Sequence, residues 1–231
     1  MTCEEFSNNF DAAIDSYRRF AKFDDREPSD TLEFNEYEKS IFLTQAQKNL
    51  VVSLYSGRNN LPISFESTEE ARRYLDNLVV TKTFTDFTEG LNGVVVTLPE
   101  DLAYIVYESA TLADSTCSKT QKKDVIATTH DEFNTVKHNS FRGTGKRVLR
   151  LDSGDSTVEL VSDNQLASYS IRYIKMPEPI VLADLPEGVS IDGVSTKQTC
   201  RLKEVLHSLV LGDAVQIALQ SRGISSKPSK E

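Results

Sequence analysis

The chain has no tryptophan, three histidines, three cysteines and two methionines. Each scarcity closes off a class of chemistry. His130, His138 and His207 are too few and too scattered to build a metal centre without help. Cys3, Cys117 and Cys200 form no CxxC pair, and an odd number of widely spaced thiols argues against a disulfide framework. They are expected to be buried or idle thiols in a reducing compartment. No apolar run approaches the ~20 residues that a membrane-crossing helix needs. The opening Met1-Thr-Cys-Glu-Glu5 is acidic rather than basic and then apolar, so no export signal is expected, and synthesis is placed in the cytoplasm.

Catalytic signatures are missing in the same way. His130-Asp131-Glu132 cannot converge on one ion, because three consecutive side chains point apart. Gly143-Thr-Gly-Lys146 resembles half of a phosphate loop, but Ser140 and Arg147 stand where the full pattern needs glycine and serine or threonine. A Gly-x-Gly of this kind more simply permits a turn. No Gly-x-Ser-x-Gly elbow supports a hydrolase. The expectation is a protein that is not an enzyme and carries no cofactor or metal.

What is present is charge, unevenly placed. The net charge is −9 over 231 residues. Residues 1–118 carry 10 basic and 21 acidic side chains, and residues 151–231 carry 8 and 11. Between them, residues 119–150 carry 8 basic and 3 acidic. The basic block is Lys119, Lys122, Lys123, Lys137, Arg142, Lys146, Arg147 and Arg150. Three readings stay open for it. It can be a flank that attracts the acidic flank of a neighbouring copy, a solvated loop, or a nucleic-acid site. The last is weakened by the lack of interleaved aromatics before Phe133 and Phe141.

The periodicity changes along the chain. Thr2 with Glu5 and Asn35 with Glu38 read as capping boxes that open helices over 3–22 and 36–55, the second stopped by Ser56-Gly57. Ser67 with Glu70 starts a third helix. Residues 23–34, with Pro28, read as a polar linker. Strands follow over Val79–Phe87, Val94–Leu98 after the Asn92-Gly93 turn, Tyr104–Leu112, Val148–Leu151 and Val158–Val161. Tyr169, Ile171 and Tyr173 alternate with polar residues in a half-buried strand that ends at Pro177 and Pro179, neither of which can donate to a ladder. A final helix over 198–221 presents Leu202, Val205, Leu206, Leu209, Val210, Ala214, Ile217 and Ala218 inward.

Helices, then strands, then a helix predict an α+β fold. N-terminal and C-terminal helices would form a bundle, with an inserted, mainly antiparallel β-sheet lobe and long arms over 113–147 and 177–198. The expected divisions are 1–78 (helical), 79–182 (β-rich lobe), 183–224 (linker and last helix) and 225–231 (flexible tail). A strand that closes on paired prolines has the shape of a docking part. Tyr169, Tyr173, Pro177 and Pro179 therefore join the basic block as expected inter-subunit contacts.

Several segments carry a family resemblance. They are Asn35–Gln47, Leu98–Glu108, Thr129–Asn134, Asn139–Gly143 and the run Tyr173-Ile-Lys-Met-Pro-Glu-Pro179. Cys200-Arg-Leu202 resembles a Cys-Glu-Leu segment before the last helix, from which Arg201 departs. In this order they resemble the portal-proximal ring proteins of crAss-like short-tailed bacteriophages and, more loosely, the head-to-tail adaptor proteins of short-tailed phages. The resemblance implies a virion structural protein made in the host bacterial cytoplasm. It implies a homo-oligomeric ring, twelve-fold like the portal, within the portal–tail assembly. Its partners would be itself, the portal protein and neighbouring tail ring or hub proteins, with viral DNA passing through transiently and no membrane involved. A nucleic-acid-binding protein using residues 119–150, or a small enzyme with an unrecognised site, are the competing readings.

Overall fold

A computed structural model describes residues 1–23, 33–57, 69–113, 120–139 and 141–224. The linker around Pro28, the Ser67 cap, Cys117, Lys119 and the tail 225–231 lie outside the described residues. The fold is α+β and divides into two compact units, residues 1–78 with 177–231, and residues 79–176.

In the first unit, helix α1 (Cys3–Phe23) starts as its capping box requires: the Glu5 amide donates to Thr2 Oγ1 at 3.2 Å, and the Thr2 amide to Glu5 Oε2 at 2.8 Å. Phe6, Phe10 and Ile14, each four residues apart, are fully buried. Each such side chain contributes roughly 1.5–3 kcal/mol of transfer free energy. Helix α2 (Glu36–Ser56) opens on the Asn35/Glu38 box and ends on Gly57, whose φ of 70° is the left-handed stop that glycine supplies. A short α3 (Glu69–Leu75) runs into a 3-10 turn at Asp76–Leu78 and buries Ala71, Leu75 and Leu78.

The last helix is shorter than its sequence pattern. Helix α5 spans His207–Ser221, preceded by a 3-10 turn at Glu204–Leu206. It packs against α2, and α1 touches both. Its buried stripe is Leu206, Val210, Ala214 and Ala218, four residues apart. Val205 and Leu209, expected inward, are 60% and 48% exposed. Val205 and Leu209 lie one position before Leu206 and Val210 and rotate out of the buried row, whereas His207 and Leu219, one position after it, stay buried.

The segment 177–198, expected as an arm, begins packed within this unit, and most of its residues after Leu182 are exposed. Pro177, Pro179, Ile180, Val181 and Leu182 are buried, and Val181 bridges Gln198 antiparallel. Their backbone is satisfied by a polar stripe on α2. Thr44 Oγ1 donates to the Ile180 carbonyl at 3.2 Å and accepts from the Ile180 amide at 3.0 Å. Ser40 Oγ accepts from the Leu182 amide at 3.0 Å, and Gln47 Nε2 donates to the Glu178 carbonyl at 2.7 Å. Ser40, Thr44 and Gln47 follow one another by four and three residues, so one helix face acts as a strand partner. All three are nearly or fully buried.

The second unit is an eight-stranded mixed sheet. Its strands are β1 (Val79–Phe84), β2 (Thr88–Glu89), β3 (Val94–Thr97), β4 (Leu102–Ala113), β5 (Thr120–Ala127), β6 (Val148–Gly154), β7 (Thr157–Val161) and β8 (Leu166–Lys175), in the order β1-β8-β4-β5-β6-β7-β3-β2. All pairs are antiparallel except β5 with β6. That parallel pair needs a crossover, supplied by α4 (His130–Lys137). The segment expected as an arm over 113–147 therefore contains a paired strand and a packed helix.

The sheet curls on itself at β5, which pairs with β4 through residues 120–124 and with β6 through 125–127. One core results, uniting Ala110, Leu112, Tyr169, Ile171 and Tyr173 from β4 and β8 with Val96, Val148, Val158 and Leu160 from β3, β6 and β7. Outside it, Phe133 and Val136 of α4 cover Leu149, Leu151 and Val161. In the hairpin joining β2 and β3, a Cβ at Gly93 would collide with the Leu160 carbonyl, so only glycine fits there.

Candidate functional site

The structure disperses the basic block. Lys122 and Lys123 sit on β5, and the Lys122 ammonium lies 5.7 Å from the Tyr107 ring centre. Lys137 ends α4, with its ammonium 5.4 Å from the Phe133 ring centre. Arg142, Lys146 and Arg147 lie in the loop before β6. Arg150 points the other way, into the sheet interior. It occupies the same face of β6 as the core residue Val148, and the alternation of the strand puts it there.

Arg150 pairs through Nη1 with Glu108 Oε1, and each side chain is only 11% exposed. Tyr169 donates its hydroxyl to Glu108 Oε2 at 2.7 Å, and Asp152 Oδ1 lies 3.1 Å from Arg150 Nε. Burial pushes the Glu108 carboxyl up, against the opposing pull of Tyr169 and Arg150. Burial, with the Glu108 charge, also pushes the Tyr169 phenol well above its ordinary range, so it remains a donor. Glu108, Arg150 and Asp152 line a cleft of about 510 Å³ together with Leu98, Leu102, Ile105 and Val158. Both oxygens of the Glu108 carboxylate are held, one by Arg150 and the other by Tyr169. The arrangement ties β4, β6 and β8 together. The sequence offered one signal for it: an arginine in register with apolar residues of a strand.

Tyr169 and Tyr173, expected as contacts, are 0% and 4% exposed, and Pro177 and Pro179 are also buried. The chain's own packing covers all four. Their alternation signalled burial, and burial here is intramolecular. Lys122, Lys123, Lys137, Arg142, Lys146 and Arg147 keep enough exposure to meet another molecule.

Other titratable groups serve the fold. Lys39, 3% exposed, donates to Asp11 at 2.7 Å, Glu36 at 2.9 Å and Ser7 at 3.0 Å, binding α1 to α2. Burial would favour its neutral form, but the bonds to Asp11 and Glu36 outweigh burial and raise its pKa. For Glu36, burial is likewise overcome, here by Ser7 and Lys39, and the carboxyl is lowered. His207 donates from Nε2 to the Leu202 carbonyl at 3.0 Å, so Nδ1 is left to accept from the Met1 amino group at 2.8 Å. Burial pushes its pKa down. Cys3 is raised and Cys200 is pushed up to about 11, both by burial, which makes them poor nucleophiles.

The motifs singled out from the sequence are structural. Thr129 caps α4 by accepting from the Glu132 amide at 3.3 Å, and His130 Nε2 lies 2.9 Å from the Asp152 carbonyl. In Gly143-Thr-Gly-Lys146 the amides of Gly143 and Lys146 are spent on the Asn139 and Gly143 carbonyls, so they do not cradle an anion. Among the described residues no cluster of histidine, cysteine, aspartate and glutamate could hold a metal ion, and no helix is long and apolar enough to cross a membrane.

Comparison with known proteins supplies what the geometry does not. The model of the phage tail ring protein 3/4 family matches residues 1–230. The chain is similar to Ring protein 3 of Bacteroides phage crAss001, at 43% identity over 231 residues and 96% of each chain. It is also similar to Ring protein 4/5 of the same phage, at 26% identity over 235 residues, with 94% of this chain and 92% of the relative covered.

Proposed function

The chain belongs to the phage tail ring protein 3/4 family, and from that premise we propose a non-enzymatic virion subunit that closes with copies of itself into a ring, twelve-fold, in the portal–tail assembly. The ring joins head to tail beside the portal protein and a neighbouring ring or hub, and forms part of the passage for DNA. The match of the family model along residues 1–230 carries this reading. The physical features agree with it. The polar triad of the sheet unit is turned to cross-bracing, and exposed cations remain for contact with another molecule.

A ring with one subunit type needs heterologous contacts, in which one surface meets a different surface of the next copy. A chain of net −9 suits a channel through which DNA slides, because phosphates bind basic surfaces strongly at low salt. Image reconstruction of intact particles tests the ring: twelve copies around one axis are expected, and one or two copies per particle overturn it. Titration of the assembled ring with duplex DNA at physiological salt tests the passage. No micromolar binding is expected. Binding at that level, lost on charge reversal at Lys122, Lys123, Lys146 and Arg147, puts the basic residues on the DNA path instead.

A further inference from the structure

The loop between α4 and β6 is built as a knob. Phe141 is 76% exposed, a large aromatic set out in solvent. It is held there by specific bonds. Asn139 Oδ1 accepts from the amides of Phe141 at 2.9 Å and Arg142 at 3.0 Å. The Gly143 amide donates to the Asn139 carbonyl at 2.7 Å. A Cβ at Gly143 would lie 2.5 Å from the Lys137 carbonyl and 2.6 Å from that of Asn139, so only glycine permits so tight a loop. Thr144, buried at 6% exposure, anchors the base through its hydroxyl to Asp163.

Lys137 ends α4 just before this loop, and Arg142, Lys146 and Arg147 follow Phe141 within it. None has an ion pair among the described residues, and the Lys146 ammonium lies over the Phe141 ring, 5.3 Å from its centre. Setting these four cations aside leaves −13 on the rest of a chain of net −9. Residues 1–78 hold fifteen acidic and nine basic side chains, a net of −6. There, Tyr37 and Ile41 of α2 are 38% and 39% exposed and one helical turn apart, with Glu33 exposed just ahead of the cap. That is a small apolar seat with the Glu33 carboxylate beside it and Glu38, 3.5 Å from Arg222, in the same turn.

We propose that the Phe141 knob of one copy docks on the start of α2, around Tyr37 and Ile41, of a second copy of this chain. The inference rests on the ring reading and assigns its head-to-tail contact. The ring face meets the Tyr37–Ile41 stripe, the loop's cations meet the acidic residues beside it, and the bonds from the Phe141 and Arg142 amides to Asn139 lower the ordering cost of association. Because the two surfaces differ, the contact propagates and does not pair off.

The test places a photoactivatable phenylalanine analogue at position 141 of the full chain. It is mixed with isotope-labelled chain and duplex DNA at high protein concentration, and tryptic products are mapped after irradiation. Adducts between copies are expected on peptides spanning 27–48. Arg142→Glu/Arg147→Glu should lower their yield at least tenfold, and 0.5 M salt should lower it several-fold by screening. Circular dichroism checks that the charge-reversed chain is folded. Adducts on DNA, a symmetric adduct of position 141 with itself, adducts confined to residues 79–176, no adduct between copies, or a yield indifferent to charge reversal each overturn the proposal. Copy number in the particle is measured separately. A ring whose adducts fall elsewhere refutes the knob and leaves the ring standing, and a single copy per particle refutes both.

Discussion

Replacing Thr44 by valine changes one hydroxyl to a methyl at nearly constant shape, at a site 4% exposed. The hydroxyl makes two buried bonds, donating to the Ile180 carbonyl and accepting from the Ile180 amide, and Ile180 is fully buried. Valine leaves both backbone groups without a partner, at about 1–3 kcal/mol each. The added methyl returns about 0.8 kcal/mol. The net loss expected for Thr44→Val is therefore about 1–5 kcal/mol. Thr44→Ser removes the methyl and keeps the hydroxyl, and should lose only about 1 kcal/mol. The order is the informative result, since a purely hydrophobic account ranks serine below valine. Urea unfolding followed by far-UV circular dichroism and tyrosine fluorescence reads both variants. Amide exchange at Ile180 should accelerate by tens-fold in Thr44→Val, as local opening no longer breaks those bonds. A valine variant within about 0.5 kcal/mol of the parent, or less harmful than serine, would refute the claim that α2 serves as a strand partner for residues 178–182.

Three further outcomes follow from the buried contacts. Lys39→Met should lose about 1–3 kcal/mol at pH 7, the range for charged hydrogen bonds discounted for half-exposed partners. Because the folded Glu36 pKa is lowered, its contribution is present above the ordinary pKa near 4.5 and lost as pH falls through the folded value, so unfolding curves of the parent and Lys39→Met should converge toward pH 3. Arg150→Met alone should cost on the order of 3–5 kcal/mol by leaving Glu108 without its cation, whereas adding Glu108→Leu should recover most of it; additive losses in the urea-unfolding cycle refute the pairing. Gly93→Ala should destabilise the sheet unit by several kcal/mol through collision with the Leu160 carbonyl, on the order of overpacking costs, read by thermal unfolding.

Local chemistry was legible from the residues themselves. The Thr2/Glu5 and Asn35/Glu38 boxes and Gly57 set helix ends within a residue or two, since caps act over one turn. The alternation of Tyr169, Ile171 and Tyr173 and the prolines after it marked β8 and its end at Lys175. Whole-chain resemblance made the family recognisable because it rests on the order of many short segments. What the residues could not state was who covers whom. A strand closing on Pro177 and Pro179 has the shape of a docking part, yet the curled sheet itself covers Tyr169 and Tyr173. Ser40, Thr44 and Gln47 look like an exposed face by polarity, yet an extended segment more than 130 residues away uses them to satisfy its backbone. Arg150 was one cation of eight until the pairing of β6 turned it toward Glu108. Charge and polarity are properties of single residues, but desolvation depends on which distant segment arrives, and only the tertiary structure decides that.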